Sequence, residues 1–144
     1  MKLSKSILIG AGLLGVGCLL MVTLLAVFLF GSNSLDNRNT AKQDEMLKLV
    51  LAWGRLSPFP ENATNISVQA EGDSFTRSFR ASFSAPKQDI KTWLDDSPGT
   101  RETTPQTMPD GHLKYVIAPG AGANSAEVTV DFETNTVEIY VSWS

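Results

Sequence analysis

"VTVDFETNTVEIYVSW", Val128 to Trp143, decides the fold. Val128, Val130 and Phe132 alternate with polar residues, and Val137, Ile139, Val141 and Trp143 do so again after Thr134-Asn135. A strand places alternate side chains on opposite faces. A two-residue polar turn joins two such strands antiparallel. The spacing therefore predicts a hairpin with one buried face. Glu127, Asp131, Glu133 and Glu138 fall on the other face, which should meet water.

Upstream, Leu113, Tyr115 and Ile117 alternate and predict a third strand, joined to the hairpin by the flexible glycine-bearing connection 119–125, "PGAGANS". Residues 100–112, "TRETTPQTMPDGH", are polar and contain proline, as a long loop would. Before them, Pro86 suits a first helical turn, Ile90, Trp93 and Leu94 supply an apolar face, and Ser97-Pro98-Gly99 stops the helix. Two further strands precede it. Ile66, Val68 and Ala70 alternate in one; Phe75, Phe79, Ala81 and Phe83 share a parity in the other, which Arg77 interrupts. Thr40 to Gln43 fits a capping box. Met46, Leu49, Val50 and Trp53 form the stripe of an amphipathic helix that Gly54, Pro58 and Pro60 end. After this leading helix the expected order is β-β-α-β-β-β. That predicts an α+β domain over residues 40–144, with about five mostly antiparallel strands and helices on one face.

The N-terminal part obeys different rules. Ile7 to Phe30 holds 24 residues without a charge. A bilayer core needs about 20 apolar residues in a helix, so residues 7–30 read as a transmembrane segment, after a short basic terminus 1–6 and before a polar linker 31–39. Gly10, Gly12 and Gly15 spell G-x-G-x-x-G. The run that follows is neither an amphipathic helix nor followed by a second strand, so no dinucleotide is expected. Ala11 and Gly15 lie on one helix face, where small residues let two helices approach; a generic anchor that tolerates glycine is the preferred account, since such patterns are frequent in anchors that stay monomeric. The apolar run is longer than the core of a cleaved signal, and its end is bulky. Cleavage near Ser32 and Ser34 is the second reading. Lys2 and Lys5 precede the span, and no cation follows until Arg38. This bias places the N-terminus in the cytoplasm and the domain in the periplasm or outside the cell. The domain has no cysteine, which suits a bacterial envelope.

Residues 31–144 carry ten of the twelve Lys and Arg and all fifteen acids, for a net charge of −5. A nucleic-acid partner is not expected of such a surface. The chemistry-bearing side chains are few. His112 is the only histidine, with Asp110 two positions before it. No serine lies in G-x-S-x-G. No zinc ligand set is visible, since such sites take three or four ligands, and no metal or cofactor is expected. Asp95 and Asp96 lack the spacing of a calcium loop. Arg77 and Arg80 sit among phenylalanines; if Arg77 lies in a concave pocket, it would hold a carboxylate or phosphate. Two functions follow as expectations. One is a membrane-tethered, non-enzymatic module that binds a protein or peptide, or serves an envelope complex. The alternative is a hydrolase or metal-dependent enzyme built on Asp110 and His112.

Overall fold

The computed structural model describes residues 39–72 and 76–144. The expected span 7–30 with Ala11 and Gly15, the linker up to residue 38, and Phe75 lie outside the described residues. The chain divides into two compact units, Met1–Lys42 and Gln43–Ser144; the second is described below. Among the described residues no helix is long and apolar enough to cross a membrane.

The second unit is α+β. Its strands are β1 (Thr64–Glu71), β2 (Arg77–Ser84), β3 (Gln106–Thr107), β4 (Leu113–Ile117), β5 (Ser125–Asp131) and β6 (Thr136–Trp143). They form one antiparallel sheet in the order β1-β2-β6-β5-β4-β3. Helical residues 39–54 (α1) precede the sheet, and α2 (Lys87–Asp96) and α3 (Pro98–Arg101) link β2 to β3. One face is the core. Phe79, Ala81 and Phe83 of β2 lie beside Val137, Ile139 and Val141 of β6, then Ala126, Val128 and Val130 of β5; Val50 of α1 and Ile90, Trp93 and Leu94 of α2 cover them.

Four expectations change. The sheet has six strands, not about five: the stretch 100–112 contributes β3, two residues too short for any periodicity to reveal. The stop at Ser97-Pro98-Gly99 is a new start, because Pro98 opens α3. Asn39 and Thr40 are already helical, so Thr40 is not a cap. The hairpin turn is also longer than Thr134-Asn135. Asp131 pairs with Thr136 and Val130 with Val137, so four residues form the loop, and Phe132 leaves the strand to pack half-buried beneath Lys87. The register differs by two from that of a two-residue turn. A shift of two preserves parity, which is why the predicted buried face survives.

Helix α1 ends one residue later than the glycine suggests. Arg55 takes the left-handed position (φ 52°), and the Leu56 amide reaches back to the Leu51 carbonyl at 2.8 Å, a Schellman closure. Leu56 folds over Gly54, where a β-carbon would collide with it. Three segments then meet at this helix end. The Gly99 amide donates to the Arg55 carbonyl (2.9 Å), the Gly120 amide to the Trp53 carbonyl (2.8 Å), and the Ser57 amide to Ser97 Oγ (3.0 Å). Ser97 and Thr100 are the buried polar residues of the unit, and Thr100 Oγ1 donates to the Leu94 carbonyl at 2.6 Å. Buried polar groups need such partners. The connection 119–125 is thus tied down: Ala121 and Gly122 both have positive φ, and the Ala123 amide closes on the Gly120 carbonyl, the form of a type I′ turn.

Tyr115 lies in the core face of β4. Burial, and then the charge of Asp95, raise its phenol above the ordinary value near 10. A raised acid favours its neutral form in the folded state, so its contribution is intact below the unfolded value and is lost as pH rises past it. Chemical unfolding of the wild type should show a stability loss above about pH 10 that Tyr115→Phe lacks. Parallel pH profiles for the two proteins would contradict the assignment.

Candidate ligand-binding groove

Alternation along β2 separates the two arginines singled out above. Arg77 shares the parity of Phe79, Ala81 and Phe83, so it belongs to the core face; Arg80 belongs to the opposite, polar face. The structure therefore does not bring them together. Arg80 lies 3.5 Å from Glu71 and 5.5 Å from the centre of the Tyr140 ring, in a hollow of about 300 Å³ that Glu127, Thr129 and Glu138 also line. Beside it Lys114 pairs with Glu127 at 2.8 Å. Both cations there are matched by acids, and the hollow reads as a solvated sheet surface.

Arg77 is different. It stands at the open end of the core face, where its cross-strand partner is Trp143. Trp143 has the parity of Val137, Ile139 and Val141, so alternation alone assigns it to the core. Yet it is 45% exposed, and Leu49 of α1 is 41% exposed. The helices end their cover before the strands end. The uncovered stretch is a groove of about 520 Å³. Leu49 and Trp53 of α1, Phe79, Arg77 and Trp143 of the sheet and the Ala121-Gly122 turn, which the Gly120 amide ties to the Trp53 carbonyl, line it. Trp53 meets Phe79 edge-on with ring centres 5.5 Å apart, which fixes the indole. Among the described residues no carboxylate lies within ion-pair distance of Arg77.

The Asp110–His112 loop has a separate, structural geometry. Asp110 accepts the His112 amide at 3.1 Å, and Gly111 between them has φ 87°. His112 Nδ1 is 3.4 Å from Asp110, and Nε2 is 3.6 Å from Asp131 at the end of β5. Sequence reasoning missed Asp131 because it lies nineteen positions away and the loop had no predicted partner. Asp131 is already committed. It accepts Thr134 Oγ1 (2.6 Å) and the Glu133 amide (2.8 Å), and these bonds, aided by His112, hold its carboxyl below the usual range. Both imidazole nitrogens thus face carboxylates. These are loose, partly exposed contacts that place the imidazole between the loop and the hairpin turn. Asp95 and Asp96 close α2, where the Asp96 carbonyl accepts Ser57 Oγ at 2.9 Å.

The fold and the groove define a small α+β domain with an open apolar site and, at its rim, an arginine that has no carboxylate partner among the described residues. Comparison of the chain with protein-family models, with curated proteins and with solved structures finds no match.

Proposed function

We propose that this protein is a single-pass membrane-anchored protein whose domain lies in the periplasm or outside the cell and acts as a non-enzymatic module that binds a protein or peptide. An envelope protein is the partner it serves, and residues 7–30 are its anchor in the bilayer. The observation that carries the binding role is the uncovered end of the core. A contiguous apolar patch left in water is characteristic of an interaction site, and here an arginine lies at its edge. The anchoring role rests on the uncharged run Ile7 to Phe30 and on the lysines before it. The hydrolase alternative rests on Asp110 and His112 alone, a partly exposed imidazole 3.4 and 3.6 Å from two carboxylates.

Topology tests this reading. Thr107 is exposed on β3, an edge strand. In full-length protein carrying Cys18→Ala and Thr107→Cys, a membrane-impermeant maleimide should label intact cells, after the outer membrane is opened where there is one. Labelling that appears only after lysis would place the domain in the cytoplasm and end the proposed location and envelope partner.

A further inference from the structure

We infer that the groove captures the free C-terminus of a partner polypeptide that ends in a bulky apolar residue. This rests on the binding-module reading above and names the ligand class. The Arg77 guanidinium takes the terminal carboxylate, and Leu49, Trp53 and Trp143 take the last side chain.

Geometry carries the first part. Arg77 and Trp143 are direct cross-strand partners on one face, and such pairs hold their β-carbons about 5 Å apart. The anion receptor and the apolar receptor therefore adjoin. A C-terminal residue is the peptide unit whose carboxylate and side chain branch from a single carbon. Charge carries the second part. Among the described residues Arg77, like Arg101, has no carboxylate within ion-pair distance, and Arg77 is the cation among the residues that line the groove. A guanidinium binds a carboxylate through paired N–H donors, and capture of a terminal carboxylate is a recurring mode of peptide recognition. The third part is the Ala121-Gly122 turn. Among the described residues, neither the Ala121 nor the Gly122 amide donates to a protein acceptor. Both residues line the groove, and their amides are assigned to peptide carbonyls. A volume of about 520 Å³ is within the usual range of small-ligand sites. A fatty carboxylate shares the anion and the hydrocarbon, but has no carbonyl for those amides.

The test uses purified full-length protein in phosphatidylcholine nanodiscs and its own tryptophan emission, since Trp53 and Trp143 line the groove and Trp93 is buried. The probe is acetyl-Gly-Gly-Ala-Leu-Phe with a free carboxylate. It should produce a saturable change in emission. The C-terminal amide of the same peptide should bind at least tenfold more weakly. Arg77→Met should bring the acid down to the amide's level, and Arg77→Lys should retain part of the difference. Arg77 is exposed at a strand end, and unchanged far-ultraviolet circular dichroism would show that the variants fold. Equal binding of acid and amide would overturn the inference. So would tighter binding of decanoate than of the peptide, or no saturable response to the acid at millimolar concentration. The topology experiment is independent of these. A domain facing outward with no peptide binding removes the ligand assignment alone; peptide binding by a domain facing the cytoplasm removes the location and envelope partner alone.

Discussion

Phe83→Ala is expected to cost about 3–5 kcal/mol of stability, the range for truncating a buried aromatic, which is a large share of the roughly 5–15 kcal/mol that a domain has. Phe83 is fully buried on β2. Its ring centre lies 5.1 Å from that of Phe59 and 5.1 Å from that of Trp93, the latter edge-on. It therefore joins the sheet, helix α2 and the loop after α1. These elements belong to the scaffold and cannot all collapse into the space an alanine leaves, so the cavity term should persist. Urea unfolding followed by circular dichroism would measure the loss. Val116→Ala, on the exposed side of β4, should stay within about 0.5 kcal/mol of wild type. Equal effects at the two positions would mean that the core is not where the structure places it.

The second large effect belongs to a glycine. Gly99 sits in α3, directly against the end of α1. A β-carbon there would overlap the Gly54 carbonyl oxygen and press on the Ile117 side chain. The overlapped atom is backbone, so no rotamer change relieves it. Gly99→Ala should therefore separate α3 from α1 and weaken the bond from the Gly99 amide to the Arg55 carbonyl. Overpacking costs about 1–3 kcal/mol and the hydrogen bond about 1 kcal/mol more. Together, at roughly 4–8 °C per kcal/mol, they predict a fall in Tm of about 8–30 °C for a domain of this size. Gly111→Ala provides the comparison. That glycine has positive φ but open space around it, so its cost is backbone strain alone, about 1–2 kcal/mol. If the two alanines were equally mild, close approach would not be the reason for glycine at 99.

The same junction shows why parts of the fold were legible and others were not. The strands could be read because each has a long enough alternation: Val137, Ile139 and Val141 repeat often enough to declare a face. Even the wrong turn length in the last hairpin left that face intact, because the discrepancy was two residues. Helix α2 was readable from Ile90, Trp93 and Leu94 for the same kind of reason. Elements α3 and β3 have four and two residues, fewer than a period needs. They exist because tertiary partners hold them: Arg55 and Gly54 against Gly99, and Lys114 and Leu113 opposite Gln106 and Thr107. No local pattern records those partners.

The groove divides along the same line. Local alternation alone placed Arg77 in an apolar series that it interrupts, and so marked it as the residue to follow. It also placed Trp143 on the core face. Both statements concern which side of the sheet a residue occupies, and side is set by backbone geometry over a few residues. How far the helices extend across that side depends on where α1 and α2 end relative to β2 and β6, which are distant in the chain and adjacent only after folding. The sequence by itself thus determined the α+β class, the buried parity of the strands and the uncharged run at the N-terminus. The tertiary structure alone decided that Trp143 and Leu49 remain uncovered beside Arg77, because cover is a property of packed neighbours and not of spacing along the chain.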